Sequence, residues 1–242
     1  AERFGKGEIV EDLRPSGALE IRKATYEFDR MMKRINRHLA QRSEMLSGIS
    51  HDLRTPLTRL KLQLALMEQK DQAEKMTSDI DEMEKMLNDY LQYAKSQAEE
   101  NSTKINVNEM IEKIINKYDL NKFKITSNEI VTIEGRENLI KRCIINIISN
   151  ALAYGDKVQI EIKKSVNAAI IIVEDNGPGI PKNEYLNVFK PFYRIDKSRG
   201  LNKAGVGLGL SISQDIIKSH GGNILLSKSS IGGLLVKISL PF

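Results

Sequence analysis

Two halves of the chain carry different hydrophobic periods. From residue 16 to about 98, apolar residues recur at steps of three and four: Ile21, Ala24, Phe28, Met31 and Ile35, then Leu46, Ile49, Leu53, Leu57, Leu60, Leu64 and Met67. A second series runs Met76, Ile80, Met83, Leu87, Leu91 and Ala94. This is the period of an apolar stripe along a helix. The polar run Glu68-Gln69-Lys70-Asp71-Gln72 between the series suits the bend of a helical hairpin. Two helices with stripes this narrow cannot close a core alone. A four-helix bundle made by two chains is the economical arrangement, and packing of one hairpin against the rest of the chain is the alternative.

After the polar stretch 97–104 (QAEENSTK) the pattern changes. Strand-like runs appear at 131–133, 158–162, 169–173, 224–226 and 234–240, interleaved with helix-like stretches at 107–118, 138–153 and 208–219. Strands mixed with helices and short turns predict an α+β or α/β sandwich. The expected organisation is a lead-in over 1–40, a helical hairpin over 41–98, a linker over 99–103 and a second, mixed domain over 104–242.

Composition narrows the partners. Tryptophan is absent and aromatics are only 5%, so the core must be mostly aliphatic. The net charge of +5 raises the question of nucleic acid. The cations are dispersed among acids, however, and no basic run is interleaved with stacking aromatics, so no direct nucleic-acid partner is expected. Cys143 is the only cysteine, which excludes an intramolecular disulfide and fits a reducing compartment. Its apolar helical setting predicts a packing role. No apolar run approaches the ~20 residues needed to cross a bilayer, and no signal-peptide pattern is present. The chain is expected to be soluble and, starting with Ala1, to be a fragment of a longer protein.

Candidate chemistry begins at Ser50-His51-Asp52-Leu53-Arg54-Thr55-Pro56-Leu57 on the first long helix. With Leu46, Ile49, Leu53 and Leu60 facing the bundle, His51 lies about 200° around the helix from Ile49, pointing to solvent. An imidazole of ordinary pKa is largely an unprotonated nucleophile at neutral pH. The adjacent Asp52 can accept the proton of one ring nitrogen and leave the other as attacker. Thr55 follows His51 by four positions and so shares its face. Pro56 removes a backbone donor and predicts a bend. An exposed His beside an Asp is, by itself, ordinary surface.

Four further groups follow in order. Asn146 and Asn150 are four apart on the otherwise apolar helical stretch 138–153, with Tyr154 directly after it; an amide oxygen is a hard ligand suited to Mg²⁺, although two polar residues on a solvated face is the plainer alternative. Asp175-Asn176-Gly177-Pro178-Gly179 follows a strand, where a carboxylate can accept from an exocyclic amine and the glycines let the backbone turn; a simple turn is the alternative. Phe189-Lys190-Pro191-Phe192-Tyr193-Arg194 is an aromatic hinge before a cationic stretch with Lys197, Arg199 and Lys203, long enough for a mobile cover over a ligand. Gly205-Val206-Gly207-Leu208-Gly209-Leu210 leads into a helix whose N-terminal amides can receive an anion. It is neither a dinucleotide fingerprint, since it comes late in the domain, nor a P-loop, since no Gly-Lys-Ser/Thr follows.

Together these segments resemble the H, N, G1, F and G2 boxes of the sensor histidine kinases of two-component systems, whose ATP-binding domain is the Bergerat-type sandwich shared with gyrase, MutL and Hsp90-type proteins. The resemblance implies a dimeric hairpin bearing the phosphoacceptor His51, assisted by Asp52, with Thr55 orienting water in dephosphorylation. It implies ATP and Mg²⁺ as cofactors, Asn150 as the Mg²⁺ ligand with Asn146 and Tyr154 beside it, Asp175 reading adenine, and Gly177, Gly179, Arg194, Gly205, Gly207, Gly209 and Leu210 lining or hinging the nucleotide site. One departure is Ala153, where the family often carries Lys or Arg. The phosphoryl group would pass to an Asp of an OmpR-like response-regulator receiver, which the same protein would also dephosphorylate. The lead-in Leu13-Arg14-Pro15-Ser16-Gly17 with Glu20-Ile21, Phe28 and Met31-Met32 resembles half of a HAMP relay module, and the SHDLRTPLTRL segment most resembles the osmosensing EnvZ-type kinases. Both imply a full-length protein anchored at the cytoplasmic face of the bacterial inner membrane. A gyrase-like ATP-driven machine and a scaffold with decayed kinase activity are the other classes; self-labelling by ATP separates them. His38 and His220 are read as a surface residue and a helix-end residue.

Overall fold

A computed structural model of the chain describes residues 18–67, 69–127, 129–195 and 207–242. The expected HAMP-like residues 13–17, the basic positions Lys197, Arg199 and Lys203, and Gly205 lie outside the described residues. The chain divides into two compact units between Glu100 and Asn101.

The first unit is a helical hairpin. Helix α1 spans Leu19–Ala65 and α2 spans Lys70–Glu99. Helix α1 ends at Ala65 and α2 begins at Lys70, so the bend comes earlier than the polar run 68–72 implies. Lys70, Asp71 and Gln72 instead form the first turn of α2, where Asp71 complements the helix dipole. Pro56 lies inside α1 without ending it. Lacking an N–H, it cannot donate to the carbonyl four residues back, so the helix has one backbone donor fewer just after His51. The predicted stripe divides in two. Leu57, Leu64, Ala73 and Ile80 are buried against one another within the hairpin. Ile49, Leu53, Leu60, Met67, Met76 and Met83 remain exposed. Apart from Ile49, which is four residues before Leu53, each set advances in sevens (57 and 64, 73 and 80; 53, 60 and 67, 76 and 83), the seam of a helical bundle. Lys61 reaches across the hairpin to Asp81 and, at 2.8 Å, to Glu84. No helix among the described residues is long and apolar enough to cross a membrane.

The second unit is a two-layer α/β sandwich. A short antiparallel pair, β1 (Thr103–Asn106) with β3 (Thr132–Gly135), stands beside a five-stranded mixed sheet. The sheet runs in the order β2 (Phe123–Ser127), β4 (Val158–Lys164), β5 (Ala168–Asp175), β7 (Leu234–Pro241), β6 (Asn223–Lys228). Only the β2–β4 pairing is parallel. Helices α3 (Val107–Ile115), α4 (Glu137–Tyr154) and α5 (Gly209–Ser219) form the second layer, with α4 on β4 and β5 and α5 on β6 and β7. Alternate residues of each central strand face the helices: Val158, Ile160 and Ile162 on β4, Ala169, Ile171 and Val173 on β5, Val236, Ile238 and Leu240 on β7. They meet Ile140, Ile144, Ile147 and Ile148 of α4 and Ile212, Ile216 and Ile217 of α5 in the aliphatic core that the composition demands.

Candidate active site

Strand register delivers the first functional group. The inward row of β5 runs Ala169, Ile171, Val173 and then Asp175, so the period of two that buries three apolar residues also carries a carboxylate inward at the strand's end. Asp175 is 6% exposed. Its Oδ1 accepts from the amides of Gly177 (2.8 Å) and Leu234 (3.2 Å). Its Oδ2 accepts no hydrogen bond among the described residues. Burial raises the carboxyl above the ordinary range, and the two amide hydrogen bonds pull it back only in part. A half-satisfied buried carboxylate is a ready acceptor for an incoming N–H.

Backbone packing explains the glycines here. A Cβ on Gly177 would lie 2.6 Å from the carbonyl oxygen of Tyr154, and Gly179 has φ +69° with the carbonyl of Gly233 beside it. Gly233, which the sequence reading passes over, is packed hardest: a Cβ there would collide with Oδ1 of Asp175 and come within 2.5 Å of the Gly177 amide. Its own amide donates to the Asp175 carbonyl at 3.0 Å. The Gly232-Gly233 pair just before β7 is the signal that could have found it. Asn176 accepts from the amides of Asp156 and Lys157 at 2.8 and 2.9 Å, tying the turn after α4 to the end of β5.

Helix α4 supplies the paired amides. Its buried face is Leu139, Ile140, Cys143, Ile144, Ile147 and Ile148, while Asn146 and Asn150 are half-buried at its border. Asn146 donates to the carbonyl of Gly209 at 3.4 Å, and Asn150 lies beside the same glycine. Gly209 opens α5, whose N-terminus has no side-chain cap. The N-box asparagines and the amides that begin α5 therefore share one place. Gly207 (φ +79°) is pressed on Phe192 and Tyr193, and its carbonyl accepts from the Phe192 amide at 3.0 Å. Leu210 and Arg194 are half-buried and Tyr154 is 50% exposed; no side-chain hydrogen bond ties these three to Asp175 or the asparagines.

Oxygen donors suit the hard ion. No cluster of three or more His, Cys, Asp or Glu able to hold a metal occurs among the described residues, but a cation bound mainly by phosphate oxygens and water needs only one or two protein oxygens. The amide of Asn150 can be one of them.

In the hairpin, His51 lies in the C-terminal third of α1, and its side chain is outside the described set. Asp52, Arg54 and Thr55 are exposed around it and Leu57 is buried. Leu53, expected to face inward, is 46% exposed in the single chain, whereas Leu57 and Leu64 on the neighbouring seam are buried. The two remaining histidines differ sharply. His38 is exposed. His220 is buried, with Nδ1 donating to the Ile216 carbonyl at 2.7 Å and Nε2 accepting from the Arg136 amide at 3.1 Å. Burial lowers its pKa to about 4, with Arg136 adding to the effect, so it is a neutral tie between α5 and the start of α4. Cys143 is fully buried, its thiol pushed up to about 12, as a packing residue would be.

Residues 41–99 match the family described as His Kinase A (phospho-acceptor) domain, and residues 135–242 match that of the histidine kinase-, DNA gyrase B- and HSP90-like ATPases. The sensor histidine kinase GtrS of Pseudomonas aeruginosa is 35% identical over 231 residues, covering 95% of this chain and 48% of GtrS. The sensor protein RstB of Escherichia coli is 29% identical over 254 residues, covering all of this chain and 58% of RstB. The chain spans about half the length of such relatives. Full-length ShkA, crystallised in complex with AMPPNP, resembles it in fold, with TM-score 0.64 at 20% identity over 83% of this chain and 46% of ShkA. With a phosphoacceptor-type hairpin and an ATPase-type sandwich in this order on one polypeptide, the chain belongs to the sensor histidine kinases.

Proposed function

We propose that this chain moves the γ-phosphoryl group of ATP onto His51 and then to an aspartate of a response-regulator receiver. The observation that carries the reading is the convergence in the sandwich: Asp175 with Oδ2 open, and Asn146 and Asn150 against the uncapped start of α5. Asp175 accepts the adenine amine. The α5 amides take phosphate oxygens through their dipole. Asn150 holds Mg²⁺, which when bound neutralises phosphate charge, and Asn146 fixes the distance from α4 to α5. Phosphoryl transfer of this kind needs chiefly positioning and charge neutralisation.

On the hairpin, the unprotonated ring nitrogen of His51 attacks the γ-phosphorus, the bond to the β–γ bridging oxygen breaks and ADP leaves, and Asp52 takes the proton carried by the other ring nitrogen. Thr55, one turn on, positions water when the regulator's phosphoryl group is removed. The exposed Leu53–Leu60–Met67 and Met76–Met83 seams pair with a second copy to complete a four-helix bundle. An OmpR-like receiver docking on that bundle, and work at the cytoplasmic face of the bacterial inner membrane within a longer protein, complete the reading. The test is incubation with γ-labelled ATP. The expected product is a label stable to base and labile to acid, absent from His51→Gln and from Asp175→Asn. ATP consumption without label would favour an ATP-driven machine instead.

A further inference from the structure

Between the Asp175 turn and α5, residues 182–195 form a knot that joins the aromatic segment 189–194 to Glu184 and Asn187, which lie ahead of it and belong to none of the assigned boxes. Glu184, half-buried at the end of the 3₁₀ turn Lys182–Glu184, accepts on one oxygen from the Tyr193 hydroxyl (2.5 Å) and from the Asn187 amide (3.0 Å). Lys190 donates to Asn187 at 2.8 Å. The next 3₁₀ turn, Asn187–Phe189, packs on α5 through buried Val188. These contacts grip the side chain of the residue whose backbone presses on Gly207. A Cβ on Gly207 would lie 2.8 Å from the Tyr193 carbonyl oxygen and 3.0 Å from the Phe192 carbonyl carbon.

The geometry is also held against a cost. Phe192 has φ +63°, the one non-glycine residue with positive φ among those described, and its ring is 64% exposed. A bulky side chain keeps a left-handed backbone only when neighbouring contacts impose it. The imposing contacts are the Phe192 amide on the Gly207 carbonyl and, one residue later, Tyr193 on Glu184. Glu184 is held below the ordinary carboxylate range, first by the Tyr193 hydroxyl and then by Asn187, as an ionised acceptor of charge-assisted bonds should be.

We infer that Glu184 is a positioning residue for the phosphate end of the nucleotide site: through Tyr193 it sets the backbone of residues 192–193, which seats Gly207 and so aims the first amides of α5. This rests on the nucleotide reading above, and it divides that site in two. Asp175 and its glycines are built on β5 and β7, whereas the α5 amides depend on the Glu184–Tyr193 clasp.

The division can be measured by calorimetric titration of the full chain with Mg–ATP and, separately, with adenosine, which carries no phosphate. Glu184→Ala and Tyr193→Phe should each weaken ATP by about fivefold to tenfold, the scale of the net worth of one ordinary hydrogen bond, and leave adenosine unchanged. Glu184→Gln, which keeps an acceptor oxygen, should stay within about twofold of wild type. The double variant should be no weaker than either single change, because both break one clasp. Equal weakening of ATP and adenosine, or no weakening of ATP in either single variant, would overturn the inference. A wild-type chain that bound neither ligand would instead refute the nucleotide reading on which it stands.

Discussion

At the scale of single residues, two buried titratable groups do opposite things. Asp175 has its pKa raised in the folded chain, so its ionised form is a cost to stability at neutral pH that protonation relieves. The isosteric Asp175→Asn keeps an acceptor for the Gly177 and Leu234 amides. It should leave the melting temperature at pH 7 unchanged or raised while abolishing detectable ATP binding; a lowered melting temperature would mean that the carboxylate is structural. His220 works the other way. Neutral and locked between Ile216 and Arg136, with a pKa of about 4, it resists a proton that the unfolded chain accepts near the ordinary histidine value of about 6.5. Stability from this group is full above that value and is lost as pH falls from about 6.5 toward 4, by about 3 kcal/mol when complete. Urea titrations across that window should show the slope, and His220→Gln should flatten it. Neither property could be read beforehand, because an aspartate after a strand and a histidine before two glycines look the same whether they are buried or not.

At the scale of elements, strand β5 shows how a site arises from ordinary alternation. The row that buries Ala169, Ile171 and Val173 has no choice but to bury Asp175, and β7 closes over it only where Gly233 offers no side chain. Gly233→Ala should therefore displace the carboxylate, lower stability by roughly 1–3 kcal/mol and weaken nucleotide binding at least tenfold; Gly232→Ala, with nothing within 4 Å of the added methyl, separates crowding from the backbone strain that its φ of +120° imposes. Calorimetry and thermal melts on the pair decide the point. Strands β4 and β5 and helices α4 and α5 were visible in the apolar pattern because one face of each is fully buried. Strands β1 and β2 were not. Four of the five residues of β2 are exposed and it lies at the sheet's edge, so no alternation marks it. β1, starting at Thr103, holds one buried residue and begins inside the polar stretch expected to be linker.

At the scale of the whole molecule, the hairpin is an incomplete core. One heptad seam is buried within the chain and a second, with Leu53 and Leu60 each 46% exposed, is uncovered. A single copy leaves that apolar stripe in water, which association removes. Leu60→Glu should convert a dimer to a monomer in light scattering, with the ATP affinity of the sandwich unchanged. Leu57→Ala should instead lower hairpin stability by about 2–4 kcal/mol, because its side chain is already buried within one chain.

The two-part architecture, the helical character of one half and the mixed character of the other, and the family-matching segments were legible along the chain, because these depend on local periodicity and on residues adjacent to one another. Tertiary structure alone decided which apolar positions close the hairpin and which stay open, that Gly233 underlies Asp175, that His220 is sealed and His38 exposed, and that Glu184 grips Tyr193. Each of those facts joins residues between 9 and 84 positions apart or depends on what covers a side chain. Spacing along one chain carries no record of such contacts; only packing creates them.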